Sequence, residues 1–202
     1  MIRKMMLLTG MALALVAFAA PAVASAELWY SQETEEPLPE ETESEVGAYT
    51  AKGMLTLTLG GLTTPCEVEL AGFLWNDETV GTGSVLSLTL LKECQTNIMA
   101  CKVEKLTAPG LPENPWKLKI TALNKVDVSN ITMQYHYTAG CEPFIGKPNL
   151  TTSVAGTAKS TFNNNFSALE WNEAGELKQE SNGAAVKLDG ELKIEPKVFI
   201  GP

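Results

Sequence analysis

Residues 54–76 read MLTLTLGGLTTPCEVELAGFLWN. Leu55, Leu57 and Leu59 alternate with threonines before the Gly60-Gly61 pair. After it, Val68, Leu70 and Leu74 fall on one parity, while Glu67 and Glu69 fall on the other. A strict period of two is the pattern of a strand that buries one face and wets the other. Two such runs around a double glycine predict an antiparallel hairpin.

The same period recurs outward from this stretch. In SVLSLTLL (84–91), Leu86, Leu88 and Leu90 align. WKLKITAL (116–123) sets Trp116, Leu118 and Ile120 against Lys117 and Lys119. ITMQYHY (131–137) sets Ile131, Met133, Tyr135 and Tyr137 against Thr132, Gln134 and His136. AVKLDGELKI (185–194) sets Val186, Leu188, Leu192 and Ile194 against Lys187, Asp189, Glu191 and Lys193. Turn formers separate these runs: DETVGTGS, PGLPENP, NNN and ESNG. No helical stripe of period 3.6 follows the N-terminal stretch, although one short helical turn fits between Glu170 and Gln179. Eight to ten strands predict an all-β domain over 46–202, an antiparallel β-sandwich or jelly roll, with a closed β-barrel as the alternative. Gly190 and the parity change between Val128 and Ile131 mark expected bulges or bends.

The N-terminus, MIRKMMLLTGMALALVAFAAPAVASA, has the three parts of a secretory signal in order. Arg3 and Lys4 form a basic start, Met5–Ala20 is an uncharged apolar stretch, and Ala24-Ser25-Ala26 offers cleavage after Ala26. The stretch is shorter than the roughly 20 residues that span a bilayer, so export without a remaining membrane span is the expectation. Residues 27–45, ELWYSQETEEPLPEETESE, carry eight glutamates, a composition that predicts a disordered acidic leader. Beyond it the chain has 16 acidic residues against 13 lysines. The folded part is therefore only mildly acidic, and no basic stripe fits nucleic acid.

Four cysteines, Cys66, Cys94, Cys101 and Cys141, are an even set in a chain expected to meet an oxidising compartment. Zinc knuckles need tighter cysteine spacing or histidine partners, and His136 is the sole histidine. Two disulfides are therefore expected. Short reach favours Cys94–Cys101 with Cys66–Cys141; a hairpin across the turn at 79–83 would instead give Cys66–Cys94 with Cys101–Cys141.

Motifs for catalysis are missing: there is no Walker loop, no GxGxxG and no HExxH in the sequence. His136 lies on a polar strand parity without a nucleophile-elbow pattern. Aspartates are scarce (Asp77, Asp127, Asp189) and never clustered, which argues against a calcium loop. No cofactor, metal or catalytic residue is assigned. Aromatic rings offer one thread. Trp116, Tyr135 and Tyr137 share parity with aliphatic residues and read as core, whereas Trp75 and Phe73 share parity with Glu67 and Glu69. That pair is the candidate outward platform for a ligand.

The segments CEVELAGFLWN, the Cys94/Cys101 pair, LPENPWKLKI and YHYTAGC, within roughly 66–145, together resemble uncharacterised secreted all-β proteins of actinobacterial type. Glu113-Asn114-Pro115 departs from the shorter turn of that group. The resemblance implies export and an all-β fold, and implies no activity. The functional expectation is an exported, non-catalytic binding or structural module whose partner is a cell-envelope glycan or protein. A carbohydrate-binding jelly roll using Trp75 is the first alternative, and a carboxylate hydrolase the second.

Overall fold

The computed structural model describes residues 27–40, 47–138, 140–141, 151–172 and 175–202. The expected signal segment and its cleavage site at Ala26 lie outside them. The strands are β1 (Leu28–Ser31), β2 (Ala48–Leu59), β3 (Leu62–Asp77), β4 (Val80–Leu90), β5 (Cys94–Gln95), β6 (Lys102–Thr107), β7 (Trp116–Ala122), β8 (Lys125–Tyr137), β9 (Thr151–Asn163), β10 (Ala168–Trp171), β11 (Lys178–Gln179), β12 (Lys187–Glu195) and β13 (Val198–Gly201). The helical turn allowed at Glu170–Gln179 is replaced by β10 and β11 among the described residues.

The sheet closes. β2, β3, β4, β7, β8, β9, β10 and β12 pair in that order, all antiparallel, and β12 returns to β2. The fold is thus the closed barrel, not the sandwich. Eight strands enclose a space that side chains fill. Here Leu55, Leu57, Val68, Leu70, Trp116, Leu118, Met133, Tyr135, Val154, Phe162, Trp171 and Leu192 fill it, every one essentially removed from water. Burying each aliphatic side chain of this set contributes about 1.5–3 kcal/mol. β6 continues the β7 side of β8, and β11 continues the β10 side of β9.

Closure needs strong coiling, and two irregularities supply it. The β3–β4 register shifts between Ala71 and Gly72, and the β8–β9 register shifts between Val128 and Ile131, the latter where the parity change lies. At the first, Leu86 is the extra residue of β4, so it leaves the row of Leu88 and Leu90. Gly190 makes no bulge. Its φ of 147° and the clash that a Cβ there would make with the Met54 carbonyl oxygen show that it permits the close approach of β12 to β2.

Residues 28–40 do not form the disordered leader that their composition predicts. β1 pairs antiparallel with β13, placing Trp29 opposite Ile200, and this ribbon caps one mouth of the barrel. Trp29 is fully buried, edge-on to Phe162 at 5.1 Å between centroids, and its Nε1 donates to Thr82 O at 3.0 Å. The buried Asn76 carboxamide accepts from Trp29 N at 2.8 Å and donates to Trp29 O at 3.0 Å and Leu38 O at 2.8 Å. Across the ribbon, Asn164 accepts from Ile200 N at 2.8 Å and donates to Ile200 O at 2.9 Å. The glutamates of this segment stay in water while Trp29 and Leu38 bury themselves, and an average over composition misses that division of labour. The domain therefore begins before residue 46.

The disulfides are Cys66–Cys94 and Cys101–Cys141, not the favoured Cys94–Cys101 with Cys66–Cys141. In the β5–β6 hairpin the residue opposite Cys94 is Val103, so Cys101 is out of step with it. The turn between them is held instead by the Thr96 hydroxyl, whose one proton is shared between Cys101 O and Ile98 O, the latter at 2.9 Å, while its oxygen accepts from Ile98 N at 3.1 Å. Asn97 N donates to Thr63 O, bringing the turn against the start of β3 and Cys94 to Cys66. Loop closure gives roughly 3.5–4 kcal/mol for each bridge. Both staple the mouth opposite the cap.

Asn76→Ala is expected to lower stability by about 2–4 kcal/mol in urea unfolding, because it strands the buried Trp29 N–H and C=O, and to open residues 28–40 to limited proteolysis. A second expectation concerns alkaline pH. Burial raises the phenol pKa of Tyr49, Tyr135 and Tyr137, and the neighbouring Tyr137 raises that of Tyr135 further. The folded state then holds protons that the unfolded chain releases. The stability so provided is complete below a pH of about 10 and declines above it by about 1.4 kcal/mol per pH unit per tyrosine. Urea midpoints measured from pH 8 to 11.5 check the sign.

Candidate functional site

The outer face of the barrel is largely polar, and several regions of it are concave. Strand pairing builds it row by row. Trp75 on β3 lies beside Thr82 on β4, which lies beside Lys119 on β7, then Asp127 on β8, then Lys159 on β9. The next row runs Phe73, Ser84, Lys117, Ser129. Neighbouring strands are about 4.8 Å apart, so these side chains are mutual neighbours.

A cleft of about 580 Å³ spans parts of both rows, with Trp75, Asp77, Lys117, Lys119 and Ser129 in its lining together with Glu40 and Pro115. Trp75 is half-buried, whereas Trp29, Trp116 and Trp171 are at most 2% exposed. One indole out of four thus meets solvent, and it does so between carboxylates and ammonium groups. Phe73, two residues earlier on the same strand, is half-buried too, but it lines a separate apolar cleft of about 520 Å³ with Ala48, Leu86 and Pro196. The two rings proposed from parity therefore share a face but not a cleft.

His136 also takes its expected outer-facing position. Its Nδ1 is 3.2 Å from Thr151 Oγ1, beside the stapled mouth and away from Trp75. The aspartates stay apart: Asp77 ends β3, Asp127 lies near the start of β8, and Asp189 on β12 pairs with Lys187 at 2.6 Å. Glu67 and Glu69 pair with Lys92 at 2.6 Å and Lys52 at 2.8 Å. Among the described residues no three of His, Cys, Asp or Glu converge to hold a metal ion. No helix among them is long and apolar enough to cross a membrane. The barrel itself is apolar inside and charged outside, the inverse of a lipid-facing barrel.

Two residues of this cleft, and one residue beyond it, escaped the sequence reading. Lys117 and Lys119 have an outward parity that is legible, but the adjacency of β7 to β4 is not, because β5, β6 and a loop intervene. Asn130 belongs to the β8 bulge and has φ 58°. The expected parity change pointed to the bulge, yet not to which side chain it would turn outward. No family model, curated protein or solved structure matches the chain.

Trp75 is expected to carry most of the tryptophan emission that acrylamide can quench. Trp75→Phe should remove the quenchable fraction and leave a blue-shifted, protected emission from the three buried indoles. Unchanged quenching in that variant would contradict this placement.

Proposed function

We propose that this is an exported, non-catalytic binding module that takes a saccharide at the outer-face cleft of Trp75. The observation carrying the reading is the partly exposed indole set among hydrogen-bonding side chains while its three counterparts are buried. A sugar ring has apolar C–H faces and a hydroxyl rim. An indole answers the faces, and Asp77, Lys117, Lys119 and Ser129 answer the rim. The packed interior favours an external ligand over one held inside. Export is supported by the signal pattern at 1–26 and by the pairing of all four cysteines. A cell-envelope or extracellular glycan is the partner this setting provides. The hydrolase alternative is weakened by the pairing of Glu67, Glu69 and Asp189 with lysines.

A glycan array and pull-downs on insoluble polysaccharides test the reading. The wild-type protein is expected to be retained by at least one glycan class, and Trp75→Ala to weaken that retention at least about tenfold. Phe73→Ala, in the neighbouring cleft, should retain more binding than Trp75→Ala. Silence of the wild-type protein on every glycan, or full retention by Trp75→Ala, would overturn it.

A further inference from the structure

The Trp75 cleft reaches Ser129 on β8. A second cleft of about 550 Å³ lies over the β8–β9 bulge, bounded by the β6–β7 loop and lined by Asn114, Asn130 and Thr157 among others. The two abut at two places along the chain: Pro115 lines the first and Asn114 the second, and Ser129 lines the first and Asn130 the second. The bulge creates the junction. The register passes from Val128 opposite Ala158 to Ile131 opposite Gly156, so Ser129 and Asn130 together face Thr157 alone. Strict alternation would send Asn130 into the core and Ile131 outside. Instead Ile131 is 1% exposed and Asn130 is exposed. The loop above is pinned, with the Thr132 hydroxyl donating to Pro109 O at 2.8 Å and Asn114 N to Gly110 O at 2.7 Å. A bulge that re-aims a polar side chain in this way is a recurrent feature beside binding sites.

Resting on the saccharide reading of Trp75, we infer that the two clefts form one groove for a linear oligosaccharide that runs across the strands. From β3 to β9 the groove crosses four strand intervals, about 19 Å, several times the length of one sugar ring. One end offers an aromatic face, the middle offers Lys117 and Ser129, and the far end offers the carboxamides of Asn114 and Asn130. A peptide in extended form would need a row of free backbone groups along a strand edge. This groove runs perpendicular to paired strands and offers side-chain donors and acceptors instead. A repeating, hydroxyl-rich chain fits it.

Titration calorimetry with length-graded oligomers of glucose, N-acetylglucosamine and galacturonic acid, from disaccharide to hexasaccharide, decides the matter. In the class that binds, affinity should rise about tenfold or more with length. The Asn114→Ala/Asn130→Gly double variant should flatten that rise while leaving disaccharide binding intact. Glycine is chosen at 130 because it keeps the left-handed backbone without strain. Trp75→Ala should lose every length. Should that variant misfold, the tryptophan emission of the wild-type protein reports the same contact, since Trp75 is the indole open to solvent. Length-independent affinity, or a double variant with an unaltered length profile, overturns the extended groove and leaves the Trp75 site standing. No binding by any oligomer removes both.

Discussion

A pair of asparagine side chains holds the architecture at its most exposed point. A closed barrel filled with leucine, tyrosine and tryptophan must seal its mouths, and a covering ribbon must find partners for its own peptide groups. Asn76 and Asn164 meet this constraint from opposite sides. Each carboxamide presents one acceptor and one donor, as a neighbouring strand would, and each grips both peptide groups of one residue, Trp29 or Ile200, which sit opposite one another in the ribbon. Ser167 adds a third support by accepting from Val198 N at 2.8 Å. The arrangement lets a strand pair lie over the end of the core without extending the barrel sheet.

That clamp also reaches the outer surface. Asn76 and Trp75 are consecutive on β3, one turned inward under the cap and the other outward over the cleft. Anchoring Asn76 fixes the end of the strand and, with it, the direction of the indole. The neighbouring Thr82 takes part twice, as the carbonyl that receives the Trp29 indole and as the residue beside Trp75. Cap and site are two sides of the same few residues, which is the sense in which fold positions function here.

Local pattern was readable and closure was not. Period-two alternation identified the strands, and the parity of Trp75 and Phe73 against Glu67 and Glu69 placed both rings outside. The same alternation suits a sandwich and a barrel equally, since the difference lies in whether β9, β10 and β12 complete the circuit to β2, a matter of contacts distant in sequence. The cysteine pairing failed for a related reason. Nearness along the chain favoured Cys94 with Cys101, while the β5–β6 register set Val103 opposite Cys94 and returned the turn to β3. Residues 28–40 show a different limit: glutamate content outweighed one tryptophan and one leucine in the reading, yet those two side chains decide where the segment lies. At the cleft, the outward lysines of β7 could be seen individually, but their proximity to Trp75 depends on a strand order that skips β5 and β6.

The cap joins the earliest strand of the barrel domain to its latest. If the polypeptide is delivered across a membrane from its N-terminus, β1 arrives first and lacks its ribbon partner until residues 198–201 have followed. Between the closing of the barrel by β12 and the arrival of β13, the cap over Ile120 and Phe162 would lack half its ribbon. Completion of the seal would thereby wait for β13, and a product clipped short of it would keep a greasy opening that it could not fully shut.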